Sequence, residues 1–176
     1  MTITFEQAHP DDEPIIRDLQ TEAIGWLAEA GTDQWQPAAM IARRATRPEE
    51  RNLPDEIQRG EVYLVKDDGN VVGTLTLDDY ADPEFWTDED EPKTALYVHR
   101  MVVSRDAAGH DIGGAMLDWA SDQAARAGKA WLRLDAWRTN TGLHDYYRRH
   151  GFTDVRVISL PWRGSGALFQ RAVSQR

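Results

Sequence analysis

Three glycines, Gly109, Gly113 and Gly114, sit between an apolar run and a stretch whose apolar residues recur at helical spacing. A strand that passes through glycines into a helix N-terminus is a common anion site. The first amides of a helix lack internal partners, and its dipole places about half a positive charge there. The spacing is not that of the dinucleotide fingerprint, and no Gly-Lys-Ser/Thr closes the loop, so neither a Rossmann nor a P-loop reading fits. Another phosphate-bearing cofactor must then be considered, and the residues downstream decide which. Downstream, Leu143, Tyr146, Tyr147 and His150 share one side of a short amphipathic helix that Gly151 ends.

Other chemistries are excluded by composition. The chain has no cysteine, which removes disulfides, thiolate nucleophiles and zinc-thiolate sites. The lone G-S-G around Ser165 is no nucleophile elbow, so a serine hydrolase is not expected. His110, His144 and His150 are scattered without carboxylates at ligand spacing, and no metal is expected. The formal charge of −10 repels nucleic-acid phosphates, so no nucleic-acid partner is expected. No apolar run reaches the roughly 18 residues of a membrane span. The N-terminus has no signal-peptide core, so the expectation is a cytoplasmic protein without a membrane partner.

The elements that must position these residues can be read in order. Residues 3–6 form a short strand, a turn with Pro10 follows, and Ile16, Leu19, Ala23, Trp26, Leu27 and Ala30 mark a helix ending at Gly31. A second helix is expected within 38–47 and a turn or helix before Gly60. Strands at 61–65 and 71–77 flank Asp67-Asp68-Gly69-Asn70, a hairpin turn. The acidic stretch 78–93, with two prolines, reads as a loop and as a solvated face. Tyr80, Phe85 and Trp86 in it are candidates to wall a substrate pocket.

A central strand over 95–103 leads to a helix on which Ile112, Ala115, Met116, Trp119 and Ala124 share a face. A strand at 131–137, the amphipathic helix and a closing hairpin of strands near 155–160 and 167–172 complete the chain. The whole, residues 1–176, reads as a single mixed α/β domain with a partly antiparallel sheet and one parallel pair.

The sequence resembles the GNAT superfamily of N-acetyltransferases along nearly its whole length. The family's cofactor motif, V-x(4)-[RQ]-G-x-G-x-[GA], is met by Val103, four residues, then Ala108-Gly109-His110-Asp111-Ile112-Gly113-Gly114. Its second half, N-x-x-A-x-x-[LF]-Y-x-x-x-G-F, falls on Asn140, Leu143, Tyr146, Tyr147, Gly151 and Phe152. Two departures fall inside the first motif: Ala108 replaces Arg or Gln, and Asp111 replaces a glycine. Aspartate tolerates a left-handed backbone, so the loop shape can survive. Asp111 could instead cap the helix and occupy the amides meant for phosphate.

The resemblance implies a mostly antiparallel mixed sheet of about six to seven strands with about four helices, splayed at the central strand. It implies acetyl-CoA as co-substrate, with Met101, Val102 and Val103 along the pantetheine arm and 108–114 around the pyrophosphate. Asn140 would contact the cofactor arm, and Tyr147 would sit near the sulfur as general acid. The reaction implied is direct attack of a primary amine on the thioester in a ternary complex, with no metal.

For the base, His99 is a candidate, because an unperturbed imidazole titrates near 6.5. Asp135, Asp78 and Asp79 are alternatives, as is proton loss through water. Trp35, Trp86 and Asp135 are candidate acceptor contacts. The aromatic and acidic loops suggest a cationic small-molecule or peptide amine. A homodimer is common among proteins of this resemblance. The alternative function is a non-catalytic acyl-CoA-binding sensor with the same fold, supported by Ala108 and Asp111 and opposed by Asn140 and Tyr147.

Overall fold

The structure, a computed structural model, describes residues 1–36 and 51–174. The helix expected within 38–47 lies outside the described residues. The strands are β1 (Ile3–Gln7), β2 (Val62–Asp67), β3 (Asn70–Asp78), β4 (Ala95–Val103), β5 (Trp131–Trp137), β6 (Thr153–Val157) and β7 (Ser165–Ala172). The helices among the described residues are α1 (Glu13–Glu29), α2 (Leu53–Gln58), α3 (Ile112–Arg126) and α4 (Thr141–Arg149). The strands follow one sheet order, β1-β2-β3-β4-β5-β7-β6. The pair β4–β5 is parallel, whereas β1–β2, β2–β3, β5–β7 and β6–β7 are antiparallel. This is the mixed, mostly antiparallel sheet expected from the sequence, and the parallel pair is the one joined by the α3 crossover.

By packing the chain divides into two compact units: 1–77 with 100–116, and 78–99 with 117–176. In the first, α1 buries Ile16, Leu19, Ala23 and Leu27, a stripe at helical spacing. Ala30, expected on that stripe, is exposed because the helix ends at Glu29 and turns out through Gly31, whose φ of +80° favours glycine. One cluster joins Ile16 to Leu53, Ile57, Val62 and Leu64, and a second joins Leu19 and Ala23 to Val102. The β2–β3 turn has positive φ at both Asp68 (+47°) and Gly69 (+86°), the backbone of a two-residue turn whose twist suits a hairpin.

In the second unit the core of α3 and the strands includes Leu117, Ala120, Ala124, Leu132, Leu134, Phe152 and Phe169. On α3 the buried stripe is therefore Ile112, Met116, Leu117, Ala120 and Ala124; Ala115 and Trp119, expected on it, are only half-buried.

The stretch 78–93 is a loop, as expected, but it is not simply a solvated face. Phe85 and Trp86 are buried with Ala95, Tyr97 and Leu168, and the Asp78 and Asp82 carboxylates are buried as well. Three arginines hold the 82–90 part of the loop in place, since buried charge must be paired. Arg163 pairs with Asp82 and lies 4.0 Å from the Phe85 ring centre. Arg156 donates to Asp90 Oδ1 (2.9 Å) and to the Phe85 carbonyl (2.8 Å), and Arg133 donates to the Asp90 carbonyl (2.7 Å).

The Arg156 hydrogen bonds pull the Asp90 carboxyl down to about 2, against the opposing effect of burial. A depressed carboxyl stabilises the fold above its ordinary value of 3.8, and that contribution is lost as pH falls towards about 2. Asp90→Asn should therefore cost about 1 kcal/mol at pH 7, a figure kept low because the pair is partly solvated. Urea melts of the variant and parent should differ at pH 7, and the difference should shrink as pH falls from 3.8 towards about 2.

Candidate active site

In the first unit, β4 leads into the glycine loop. Arg100 interrupts the extended backbone with a φ of +47°, and Met101, Val102 and Val103 follow it. The parallel register with β5 runs from Ala95↔Trp131 to Val98↔Leu134 and stops there. On the β3 side, Ser104 N donates to the Val72 carbonyl at 2.7 Å. Gly73 approaches so closely that a Cβ would meet the Val102 carbonyl oxygen at 2.8 Å. Gly73→Ala should accordingly destabilise the protein by about 1–3 kcal/mol. Thermal melts of the variant and parent check this.

After β4 a single 3-10 turn, Arg105–Ala107, leads to Ala108, which is extended. Gly109 has φ +90° and Asp111 has φ +51°, both left-handed. The residue standing in for the motif glycine thus keeps the backbone conformation that a glycine would give, as aspartate can. Residues 108–111 are exposed, while Ile112, Gly113 and Gly114 at the start of α3 are buried. No acidic residue occupies the first turn of α3. Ala115 N bonds the Asp111 carbonyl (3.2 Å), which opens the helical ladder and leaves the amides before it without helical acceptors. These features fit a phosphate-bearing group. Nearby, Arg105 N donates to Glu22 Oε1 (2.6 Å) and the Arg105 guanidinium lies 5.3 Å from the Trp26 ring centre, tying the loop to α1.

In the second unit, Asn140 caps α4, its side-chain oxygen accepting from Leu143 N at 3.2 Å. Tyr147 on α4 is buried, edge-on to Phe152 (5.7 Å between centres) and tilted against Phe169 (5.8 Å). Burial, and then the nearby Tyr146 and Asp135, push its phenol well above the ordinary tyrosine value. It is therefore a neutral O–H donor across the whole working pH range.

His99 and Asp78, separate alternatives at the level of sequence, come together: His99 Nε2 lies 2.9 Å from Asp78 Oδ1. That same oxygen accepts from Tyr80 N (3.0 Å), and the Tyr80 ring is 6.5 Å from the imidazole. A carboxylate on one imidazole nitrogen fixes the tautomer and orientation of the ring.

The remaining candidates are dispersed. The Ser165 hydroxyl donates to the Asp135 carboxylate. Trp35 is in the first unit, half-buried at φ +56° and packed on the Leu19, Ala23 and Val102 cluster. Trp86 is buried rather than lining an open loop, edge-on to Tyr97 (5.6 Å) with Arg133 4.9 Å from its ring centre. His110 is exposed. His144 is buried and bonds the Trp137 carbonyl at 2.8 Å. Its spacing three before Tyr147 was the signal that it shares the buried face. Among the described residues, no group of three or more acidic or histidine side chains could hold a metal, and no helix is long and apolar enough to cross a membrane.

The family model for the acetyltransferase (GNAT) domain matches residues 58–154, and the chain belongs to that family. A Bacillus subtilis protein described as the uncharacterised N-acetyltransferase YesJ is 29% identical over 145 residues, covering 81% of this chain and 77% of that one. Among solved structures, a GNAT-family acetyltransferase from Listeria monocytogenes is 26% identical with a TM-score of 0.75, covering 97% of this chain and 94% of its own. The PaiA N-acetyltransferase of Thermoplasma acidophilum, solved with coenzyme A, shares the fold at 16% identity, with a TM-score of 0.71 and 98% and 99% coverage.

Proposed function

We propose that the protein transfers the acetyl group of acetyl-CoA to a primary amine by direct attack in a ternary complex. The observation that carries this reading is the loop backbone. Gly109 and Asp111 are both left-handed and exposed ahead of α3, so the departure at Asp111 leaves the phosphate cradle its shape. The amides of 108–114 would hold the pyrophosphate, and those of Met101, Val102 and Val103 the pantetheine arm. The PaiA relative's coenzyme A complex supports the choice of co-substrate. Acetyl-CoA supplies an activated acyl group; the work of the chain is binding, orientation and proton handling.

His99, oriented by Asp78, accepts the proton that the ammonium form of the acceptor must lose. Holding both reactants together removes much of the entropic barrier of a bimolecular encounter. Amides in the Met101–Val103 segment stabilise negative charge developing on the carbonyl oxygen. Tyr147 donates its phenolic proton to the departing thiolate. Asn140 contacts the cofactor arm while capping α4. Trp35, Trp86 and Asp135 remain the acceptor-side candidates, with Trp86 acting from within the core.

The acidic balance of the chain favours a cationic amine, a small molecule or a peptide, in a cytoplasmic setting. The test begins with calorimetric titration of acetyl-CoA, where absence of binding would sink the reading. A screen of amines read by thiol release follows. Binding without thiol release across the screen would favour the non-catalytic sensor, and a screen won by anionic amines would remove the cationic preference.

A further inference from the structure

Glu56 is a carboxylate that the proposed chemistry does not use, and it is only 3% exposed. It sits on α2, whose own anchoring is firm: Asn52 caps it by accepting from Asp55 N at 3.1 Å, and Leu53 and Ile57 bury its inner face. The Glu56 carboxylate pairs with the Arg100 guanidinium and accepts from the Thr76 hydroxyl at 3.4 Å. Arg100 is the residue whose φ of +47° kinks β4, one position before Met101. Arginine has no intrinsic reason to enter this region, where a side chain strains against its own carbonyl, and such a conformation persists only when its surroundings hold it. A buried carboxylate in turn requires a partner and cannot readily release one.

We propose that the Glu56–Arg100 pair is a positioning device that holds the kink in β4, and with it the direction in which the Met101–Val103 amides face the thioester arm. Its geometry stands by itself; its consequence for binding rests on the acetyl-CoA reading. Arg100 and Glu56 are positioning residues here, acting through the backbone of their neighbours and not on the reactants.

The decisive comparison keeps charge constant and changes only backbone tolerance. Glu56→Gln combined with Arg100→Ala removes both charges and leaves a residue that resists positive φ. Glu56→Gln combined with Arg100→Gly removes the same charges but supplies a residue that adopts positive φ freely. In the first double variant, amide hydrogen exchange over 100–103 of the full-length, unliganded protein should be about tenfold faster. Its acetyl-CoA Kd should weaken by about tenfold, the scale expected when contacting groups are displaced by a fraction of an ångström. In the second, binding should return to within about threefold of the parent, and kcat with a fixed amine at saturating acetyl-CoA, lowered in the first because the same amides face the developing oxyanion, should recover with it.

Equal impairment of the two double variants would mean that Arg100 acts through its charge. Parent-like behaviour of both would mean that the pair is idle; either result overturns the proposal. Glu56→Asp, which keeps the charge, serves as a milder variant should the doubles fold poorly, and should show a smaller change of the same kind. Failure of the parent itself to bind acetyl-CoA would sink the functional reading, while the exchange comparison would still decide whether the pair holds the kink.

Discussion

Tyr147→Phe should lower kcat by about 10²–10³-fold while leaving acetyl-CoA affinity within a few-fold of the parent. The substitution keeps the ring that packs on Phe152 and Phe169 and deletes only the hydroxyl. A purely structural tyrosine would show the opposite pattern, a loss of thermal stability with turnover intact, so melts and kinetics together discriminate. Two further readings sharpen the test. Because burial raises the Tyr147 phenol well above its ordinary value, the parent should show no alkaline loss of activity from this group up to pH 10. Acetyl thioesters of more acidic thiols need less protonation on departure, so the Phe variant should recover most of its deficit with them. A deficit of the same size with every leaving group would remove Tyr147 from the role of acid.

His99→Gln should lower kcat/KM by about a hundredfold near neutrality. In the proposed reaction the ring takes the proton of the ammonium acceptor, a step the variant would leave to water. At higher pH more of the amine is already neutral, and the variant should approach the parent. Asp78→Asn should produce an intermediate loss, since Asp78 Oδ1 fixes the imidazole at 2.9 Å but transfers no proton itself. An unchanged kcat/KM in His99→Gln would return proton removal to water.

Much of this site was legible before any coordinates. The order of strands and helices follows from apolar spacing and from turn residues such as Asp68-Gly69, because those signals are local. The two halves of the cofactor motif could be recognised for the same reason: each lies within a short stretch of chain. The fate of the 78–93 loop was less visible. Its composition reads as solvent-facing, yet Phe85 and Trp86 are buried, because Arg133, Arg156 and Arg163 arrive from far along the sequence to neutralise and cover it.

The glycine loop shows where the division falls. By itself the sequence determined that a strand enters a helix through glycines, that an aspartate interrupts them, and that a tyrosine helix follows. Only the tertiary structure decided that Asp111 takes the left-handed backbone of the glycine it replaces, and that Arg100 is bent the same way within β4. It also joined His99 to Asp78 and Glu56 to Arg100, pairs separated by 21 and 44 positions. Spacing along a chain encodes helix faces and turns, which are settled by neighbours. A buried charge instead selects its partner by proximity in space, and that proximity exists only once the chain has folded.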